Sequence, residues 1–214
     1  MGKSEFIYQL IKYREEMFTS KFCRIIFCQP ETLSHRNSEI VKKLKELFPQ
    51  IELHYGLPDV SKLNLDLNTL PCLLIMDDLM QQILNSSSMV DFFAVKVHHY
   101  NISCIFTLQN YFIQTRFSKS ILRNVQYKIF FYNRVDQVEL RNISMQIMPN
   151  APDFMLSNFK FLEENIQNKF ANYILVDGHT HSKLPHLHIR SQIFPNSNGE
   201  IIPIIFSPNV NYRK

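Results

Sequence analysis

The chain has 214 residues, of which 45% are hydrophobic and 20% are charged, and its net charge is +4. This length and composition suit one globular domain with a sizeable core. No apolar run reaches the length that spans a bilayer, and charged residues stand where a signal peptide has its apolar stretch. We therefore expect a protein that is intracellular, not secreted, and that has no membrane partner.

The net charge and the positions of the cysteines exclude only a few classes of protein. The pI near 8.8 is mildly basic, which is compatible with nucleic-acid binding but is common among other proteins too. The four cysteines, Cys23, Cys28, Cys72 and Cys104, lie in or beside apolar runs. This placement predicts buried thiols of a reducing compartment rather than a disulfide framework or a zinc site.

The first third of the chain alternates between helical and strand patterns. Apolar residues recur at helical spacing over 4–18, and the apolar run 22–28 between polar residues predicts a buried strand. A second amphipathic helix is expected over 39–48, where Pro49 stops it, and a short strand over 51–55. Residues 56–71 are expected to form a loop.

The middle of the chain continues this alternation. The run "CLLIMDD" after Pro71 predicts a central parallel strand that ends on two acids. A helix is expected over 81–98, loosened around the serines at 86–88. The run "ISCIFTLQN" predicts another buried strand that ends on polar residues, and 127–132 predicts a further strand.

The last third predicts two helices and a terminal pair of strands. The helices are expected over 135–148 and 154–170, and the strands over 173–177 and 187–194. Strands that alternate with helices favour an α/β fold with a mostly parallel central sheet. The simplest division is a single domain over 1–195 and a loose C-terminal tail over 196–214.

A first candidate site lies at the start of the chain, where Gly2, Lys3 and Ser4 precede the first predicted helix. In a phosphate-binding P-loop, the glycine lets the backbone approach a phosphate. The lysine reaches the terminal phosphates and the hydroxyl holds Mg²⁺. Three residues at a terminus are weak evidence, and taken alone they are better explained by chance.

Two further candidates follow neighbouring predicted strands. Asp77 and Asp78 end an apolar strand, which is the Walker B pattern: one carboxylate holds the metal and the next polarises the attacking water. Gln109 ends the next strand, where an amide can sense the γ-phosphate. Helix capping by an aspartate, or a polar residue that merely ends its strand, is the alternative in each case. The order of the three features favours a nucleotide-binding fold.

Six stretches together resemble the packaging-type ATPases of Polinton (Maverick) elements and adintoviruses, within the HerA–FtsK superfamily of P-loop ATPases. They read "GKSEFIYQLIKYREEMF", "RIIFCQPE", "YGLPDV", "LLIMDDLM", "VHHYNISCIFTLQNYF" and the closing "YILVDGHTH" with "LPHLHIRSQIFP". The resemblance covers about residues 2–195. It implies a three-layer P-loop NTPase fold and ATP hydrolysis coupled to moving double-stranded DNA.

The resemblance also implies roles and partners. Gly2, Lys3 and Ser4 match the positions that hold ATP, with Ser4 and Asp77 on Mg²⁺. Asp78 matches the catalytic acid and Gln109 the sensor. The implied partners are double-stranded DNA contacted without sequence preference, further copies of the chain in a homo-oligomeric ring, and a capsid protein. The compartment within the cell, whether nucleus, cytoplasm or viral factory, is not indicated.

The chain departs from the family pattern in two places. A strand and a glycine-rich loop should precede Gly2, and the sequence begins without them, so we expect an N-terminally truncated copy that lacks the first strand of the sheet. An arginine of the family stands where this chain has Lys119. Arg116, Arg123 and Arg134 are alternatives for the arginine that would act on a neighbouring subunit.

The departures leave two functions open. The chain is either a DNA-packaging ATPase or a non-catalytic relic that keeps the fold, with or without a DNA or subunit interface. A nucleotide kinase is a weaker third reading, because no lid or substrate-binding arginine cluster stands beside the loop. The histidines of "HTHSKLPHLH", from His179 to His188, could bind a transition metal on alternate strand positions, but an exposed turn without metal is favoured.

Overall fold

The computed structural model describes residues 2–33, 39–59, 71–133, 137–166, 172–179 and 188–207. Their contacts divide the chain into two compact units. Ile7–Asn124 form the first, which we call the parallel unit. Met1–Phe6 together with Val125–Lys214 form the second, the antiparallel unit. The prediction of one domain over 1–195 stays a prediction, because compact units need not be separate domains.

The parallel unit is built on a four-stranded, all-parallel sheet. Its strand order is β2-β1-β3-β4, which puts the two longest apolar runs beside each other. The strands are β1 (Arg24–Gln29), β2 (Glu52–Tyr55), β3 (Cys72–Met76) and β4 (Ile102–Phe106). All five residues of β3 are buried, as expected of a central strand with both faces covered. The predicted parallel sheet is confirmed for these strands.

Helices surround this sheet, and their bounds follow most of the predicted periodicities. The helices are α1 (Lys3–Lys12), α2 (Arg14–Met17), α3 (Glu39–Leu47), α4 (Met80–Asn85), α5 (Ser87–Asp91), a π-helical turn (Phe92–Lys96), α6 (Val97–His99) and α7 (Ser118–Arg123). The predicted helix over 81–98 is broken at Ser86, whose backbone is extended, as the serine run predicts. The structure adds α7, which the sequence analysis placed in no element.

Alternate side chains of the parallel strands pack into two separate apolar clusters. Leu73 and Ile75 of β3 join Ile11 of α1 and Leu44 of α3 in one cluster. The intervening residues of β3 join α4, α5 and the π-helical turn in the other. The parallel unit is therefore α/β with helices on both faces of its sheet, because each face of a parallel sheet must be covered by apolar side chains.

The antiparallel unit holds a second four-stranded sheet, which the sequence analysis had not separated from the first. Its strand order is β5-β6-β7-β8, and each neighbouring pair is antiparallel. Its elements are β5 (Tyr127–Phe131), α8 (Gln137–Ile147), α9 (Phe154–Asn165), β6 (Tyr173–Asp177), β7 (Ile189–Ser191) and β8 (Ile204–Ile205). The predicted terminal strand pair is β6 and β7. The prediction of one mostly parallel sheet was therefore wrong for the strands after residue 125, which form this second, antiparallel sheet.

The C-terminal segment carries more structure than a loose tail. Within 196–207, the N–H of Asn196 donates to the carbonyl of Glu200, and β8 pairs with β7. Phe206 is buried. The remaining tail residues, 208–214, lie outside the described part of the chain. None of the helices in the described residues is both long and apolar enough to cross a membrane.

A candidate site at the carboxyl end of the parallel sheet

The ends of β3 and β4 bring two polar residues side by side. The N–H of Asp77 donates to the carbonyl of Cys28 at 2.9 Å, and the N–H of Thr107 donates to the carbonyl of Met76 at 3.1 Å. Each bond extends the ladder of the parallel sheet by one residue. Because carboxyl ends of parallel strands share one edge, Asp77 and Thr107 both lie where ligands bind in open α/β sheets.

Thr107 links the two acids that follow β3. Its hydroxyl donates to Oδ1 of Asp77 at 2.8 Å and accepts a bond from the backbone N–H of Asp78 at 2.9 Å. One hydroxyl therefore fixes the side chain of Asp77 and the backbone of Asp78 at once. Asp77 is half-buried, whereas Asp78 is exposed, so the two carboxylates have different environments.

Gln109 was predicted to end its strand, but β4 ends at Phe106, and from three residues further on Gln109 reaches back to the second acid. Its Nε2 donates to Oδ1 of Asp78 at 2.7 Å. The backbone N–H of Gln109 also points at the sulfur of Met80, 3.4 Å away at the start of α4. The three predicted site residues of this unit, Asp77, Asp78 and Gln109, thus form one connected hydrogen-bonded group with Thr107.

The backbone of Asp78 is in the left-handed conformation, with φ of 57°. The chain must turn there from the end of β3 into α4, while the next residue, Leu79, is buried. A non-glycine residue pays strain in this conformation, and such residues cluster where function fixes the geometry. The turn directs the Asp78 carboxylate to the exposed end of the sheet.

The donor set suits a hard cation better than a transition metal. Carboxylate oxygens are the ligands that Mg²⁺ prefers, and Mg²⁺ is commonly held by one or two carboxylates together with substrate phosphates. In the described residues no group of three or more His, Cys, Asp or Glu side chains is placed to hold a metal. Asp77 and Asp78 therefore fit an ion that arrives with a phosphate ligand.

The other predicted site residues lie in the antiparallel unit. Gly2 accepts a hydrogen bond from the N–H of Phe6 at 2.9 Å, which closes the first turn of α1. A Cβ at Gly2 would stand 2.6 Å from a ring carbon of Phe131, so packing alone requires glycine there. Lys3 and Ser4 are half-buried, and each makes an interaction within the structure. Their convergence with Asp77 and Gln109 stays a prediction.

Thr107 is the site residue that the sequence analysis missed. It stands in "FTLQN" directly after the last residue of β4, at the position that corresponds to Asp77 after β3. A hydroxyl at the first position beyond a buried parallel strand, beside an acid at the same position of the neighbouring strand, is the signal that would have indicated it.

The prediction of buried thiols is confirmed for Cys28 and Cys72, and Cys104 is partly buried. Burial raises the pKa of Cys28 to about 12 and that of Cys72 to about 11, and burial likewise raises the pKa of Cys104. All four cysteines are free thiols. The prediction was wrong for Cys23, which is exposed because it precedes the first residue of β1.

The histidine-rich segment lies mostly outside the described residues. At its ends, a ring nitrogen of His188 lies 2.9 Å from the carbonyl oxygen of Asp177, and the N–H of His179 donates to the Asp177 carboxylate at 3.0 Å. Both contacts close the connection between β6 and β7. The exposed turn without metal, favoured for this segment, stays a prediction.

Comparisons with known proteins leave the site to be interpreted from its geometry. No protein-family model, no curated protein and no solved structure matches this chain.

Proposed function

We propose that this chain is an ATP-hydrolysing domain of the DNA-packaging type, related to the P-loop ATPases of the HerA–FtsK superfamily. The observation that carries the proposal is the connected group Asp77, Asp78, Thr107 and Gln109 at the carboxyl end of two adjacent parallel strands. Phosphoryl transfer needs positioned charge more than covalent chemistry, and this group supplies two carboxylates and an amide in fixed relation.

Each residue has a distinct task in the proposal. Asp77, oriented by the Thr107 hydroxyl, would hold Mg²⁺, and the ion would supply positive charge against the phosphates. Asp78 orients and polarises the attacking water. Gln109 already bonds to Asp78, so it can exchange that bond for one to the γ-phosphate and so report which nucleotide is present. Lys3 and Ser4 are assigned to the phosphates and Mg²⁺ by the resemblance alone.

The outer edge of β4 leaves room for a further parallel strand. In the described residues, β4 has β3 on one side and no strand on the other. Its sequence, "ISCIF", has neither the charge nor the proline that commonly protects an edge strand. We propose that a further parallel strand pairs with β4 at this edge, where its backbone groups would continue the parallel ladder.

Double-stranded DNA is the proposed substrate for movement, and a ring of identical subunits with a capsid protein is the proposed assembly. The mildly basic charge of the chain is consistent with contacts to DNA phosphates. Such contacts carry no sequence information, so binding should be independent of sequence and should weaken steeply with salt.

Steady-state hydrolysis of ATP tests the proposal. Two forms would be compared, the chain as given and a version extended upstream by the codons that precede Met1, each with and without duplex DNA. We expect DNA-stimulated release of phosphate from the extended form. In that form Lys3→Ala should lower the rate at least 100-fold, because the lysine contacts the transferred phosphate.

The outcomes separate the proposed ATPase from the non-catalytic relic. Hydrolysis in the extended form, with protection of β4 amides from hydrogen exchange, would support both the activity and the strand beside β4. Neither hydrolysis nor ATP binding in either form would refute the activity and favour the relic. The packing of Gly2 against Phe131 is the observation that already fits the relic, since it explains that glycine without a nucleotide.

A further inference from the structure

The charge of this chain is concentrated in one segment. Residues 92–135 contain six of the 23 Lys and Arg residues and none of the 19 Asp and Glu residues. The rest of the chain therefore carries 17 basic and 19 acidic residues and is slightly acidic. A net charge of +4 spread evenly would mean little, but this separation defines a basic region.

Three of these cations are exposed along one short segment of the parallel unit. Lys119 and Arg123 stand four residues apart on α7, which places them on the same side of the helix, and Arg116 precedes the helix. All three are exposed, whereas Ser118 and Ile121 of α7 are buried. We call Arg116, Lys119 and Arg123 the basic strip.

The basic strip is held in place by the unit rather than hanging from a loose loop. The hydroxyl of Thr115 donates to the carbonyl of Leu84 on α4 at 2.8 Å, which ties the segment before α7 to its neighbour. At the start of α7, the N–H of Thr115 donates to the hydroxyl of Ser118, and this hydroxyl donates to the carbonyl of Thr115. The Arg116 guanidinium lies over the ring of Phe117, 5.1 Å from its centroid.

No acid in the described residues neutralises the strip. None of its three cations makes an ion pair with a described acidic side chain. The helices packed against α7 are α4 and α5, and their one acidic residue is Asp91. Asp91 is already paired with Lys96, whose ammonium lies 3.6 Å from its carboxylate. The strip is thus an exposed positive surface without a described acid at ion-pair distance.

We infer that the basic strip binds the phosphodiester backbone of double-stranded DNA. Lys and Arg side chains that neutralise phosphates release condensed counterions, which favours the complex and gives no sequence preference. Three cations on about two helical turns of chain suit consecutive phosphates of one strand, and Arg forks bond to phosphate oxygens. The identity of the partner rests on the proposed function, but the surface itself is defined by charge and exposure.

Binding to a fluorescent 30-base-pair duplex without nucleotide tests the inference, with fluorescence anisotropy read at several salt concentrations. The test variant is Arg116→Gln, Lys119→Gln and Arg123→Gln together. The matched control is Lys21→Gln, Lys42→Gln and Lys45→Gln, which removes the same charge from exposed positions elsewhere in the parallel unit. A second variant, Arg116→Lys with Arg123→Lys, keeps both positive charges but changes how these two side chains pack.

We expect the test variant to bind roughly 100-fold more weakly near 0.1 M salt, and its slope of log K against log salt to fall by about two to three. The control and the lysine variant should bind within about threefold of the parent. Equal loss in the test and control variants, unchanged binding in the test variant, or preferential binding of polyglutamate over DNA would each overturn the inference.

Failure here is distinguishable from failure of the proposed ATPase. Because the binding assay contains no nucleotide, the strip can prove to bind DNA even when neither form of the chain hydrolyses ATP. Conversely, a test variant of an active form that loses hydrolysis but keeps DNA binding would assign these cations to the nucleotide of a neighbouring subunit and refute the DNA surface.

Discussion

The two sheets of this chain use buried and exposed acids in opposite ways. In the antiparallel unit, Asp177 at the end of β6 is buried, and its carboxylate serves its own surroundings: the N–H of His179 and the guanidinium of Arg190, 3.7 Å away. In the parallel unit, Asp78 follows β3, is exposed, and sits on a left-handed backbone. The Asp177 carboxylate thus stabilises the fold around it, whereas the Asp78 carboxylate is exposed to solvent.

The difference follows from sheet topology. An antiparallel sheet ends its strands at turns, so polar residues there satisfy the turn. A parallel sheet brings the carboxyl ends of separate strands to one edge, so Asp77, Thr107 and Gln109 meet although about 30 residues separate them. The hydrogen-bond partners of an aspartate therefore indicate whether a structural or a functional role should be proposed for it.

Removing the core under the parallel sheet should have the largest effect. Phe27 of β1 is fully buried between α1 and α3 in its cluster. Phe27→Ala should destabilise the parallel unit by about 3–5 kcal/mol, since it removes a buried ring and leaves a cavity. Hydrogen exchange measured on peptides from β1 and β3 should become much faster. Unchanged exchange there would mean that the described cluster does not hold the sheet.

A matched pair of Asp→Asn substitutions tests the contrast between the two acids. Asp177→Asn should lower the free energy of unfolding by about 2 kcal/mol, because it leaves the partly buried Arg190 without its counter-charge. Asp78→Asn should change stability by less than about 0.5 kcal/mol, since asparagine tolerates the left-handed backbone and can still accept from Gln109. Urea unfolding measures both. Equal losses of unfolding free energy in the two variants would contradict the difference proposed between the acids of the two sheets.

The thiols of the parallel sheet give a pH dependence. Burial holds the pKa of Cys72 at about 11 and that of Cys28 at about 12, above the ordinary thiol value of 9.0. The unfolded chain therefore loses these protons first, and stability should be unaffected below about pH 9 and fall as pH rises towards 12. Cys28→Ser with Cys72→Ser should flatten this fall.

At pH 8, a thiol reagent should label Cys23 first. Prompt labelling of Cys28 would contradict its burial.

A smaller effect than at Phe27 or Asp177 is expected at Thr107. Thr107→Val removes the hydroxyl that joins Asp77 to the backbone of Asp78 but keeps the side-chain volume. We expect a loss of about 1 kcal/mol of stability, in line with a lost hydrogen bond. Hydrolysis in the active form should fall about tenfold through a misplaced Asp77, with Thr107→Ser restoring it. A valine variant as active as the parent would remove Thr107 from the site.

Much of the parallel unit was predictable because its signals are local. Continuous apolar runs gave β1, β3 and β4, and the acids and amide at their ends gave Asp77, Asp78 and Gln109. The shared edge follows from the rule for parallel strands. Thr107 was missed because threonine is common in strands, and its role depends on a hydrogen bond to a residue 30 positions away.

The antiparallel unit was predicted less well for a physical reason. Its strands β5 and β6 are as apolar as those of the parallel sheet, so periodicity does not reveal the direction in which they pair. The two-residue strand β8 lies in a segment rich in Pro and Asn, and pairing with β7 alone makes it a strand. Gly2 was assigned to phosphate binding, although its close approach to Phe131 depends on tertiary packing.

The central claim is that Asp77 and Asp78 act together in ATP hydrolysis, and steady-state ATP hydrolysis of single variants tests it most directly. In the form that hydrolyses ATP, Asp77→Asn and Asp78→Asn should each lower the rate at least 100-fold while the variants remain folded. The control is Asp91→Asn, which removes an exposed aspartate from the same unit and should keep the rate of the parent. Rates equal to the parent in both site variants would contradict the account.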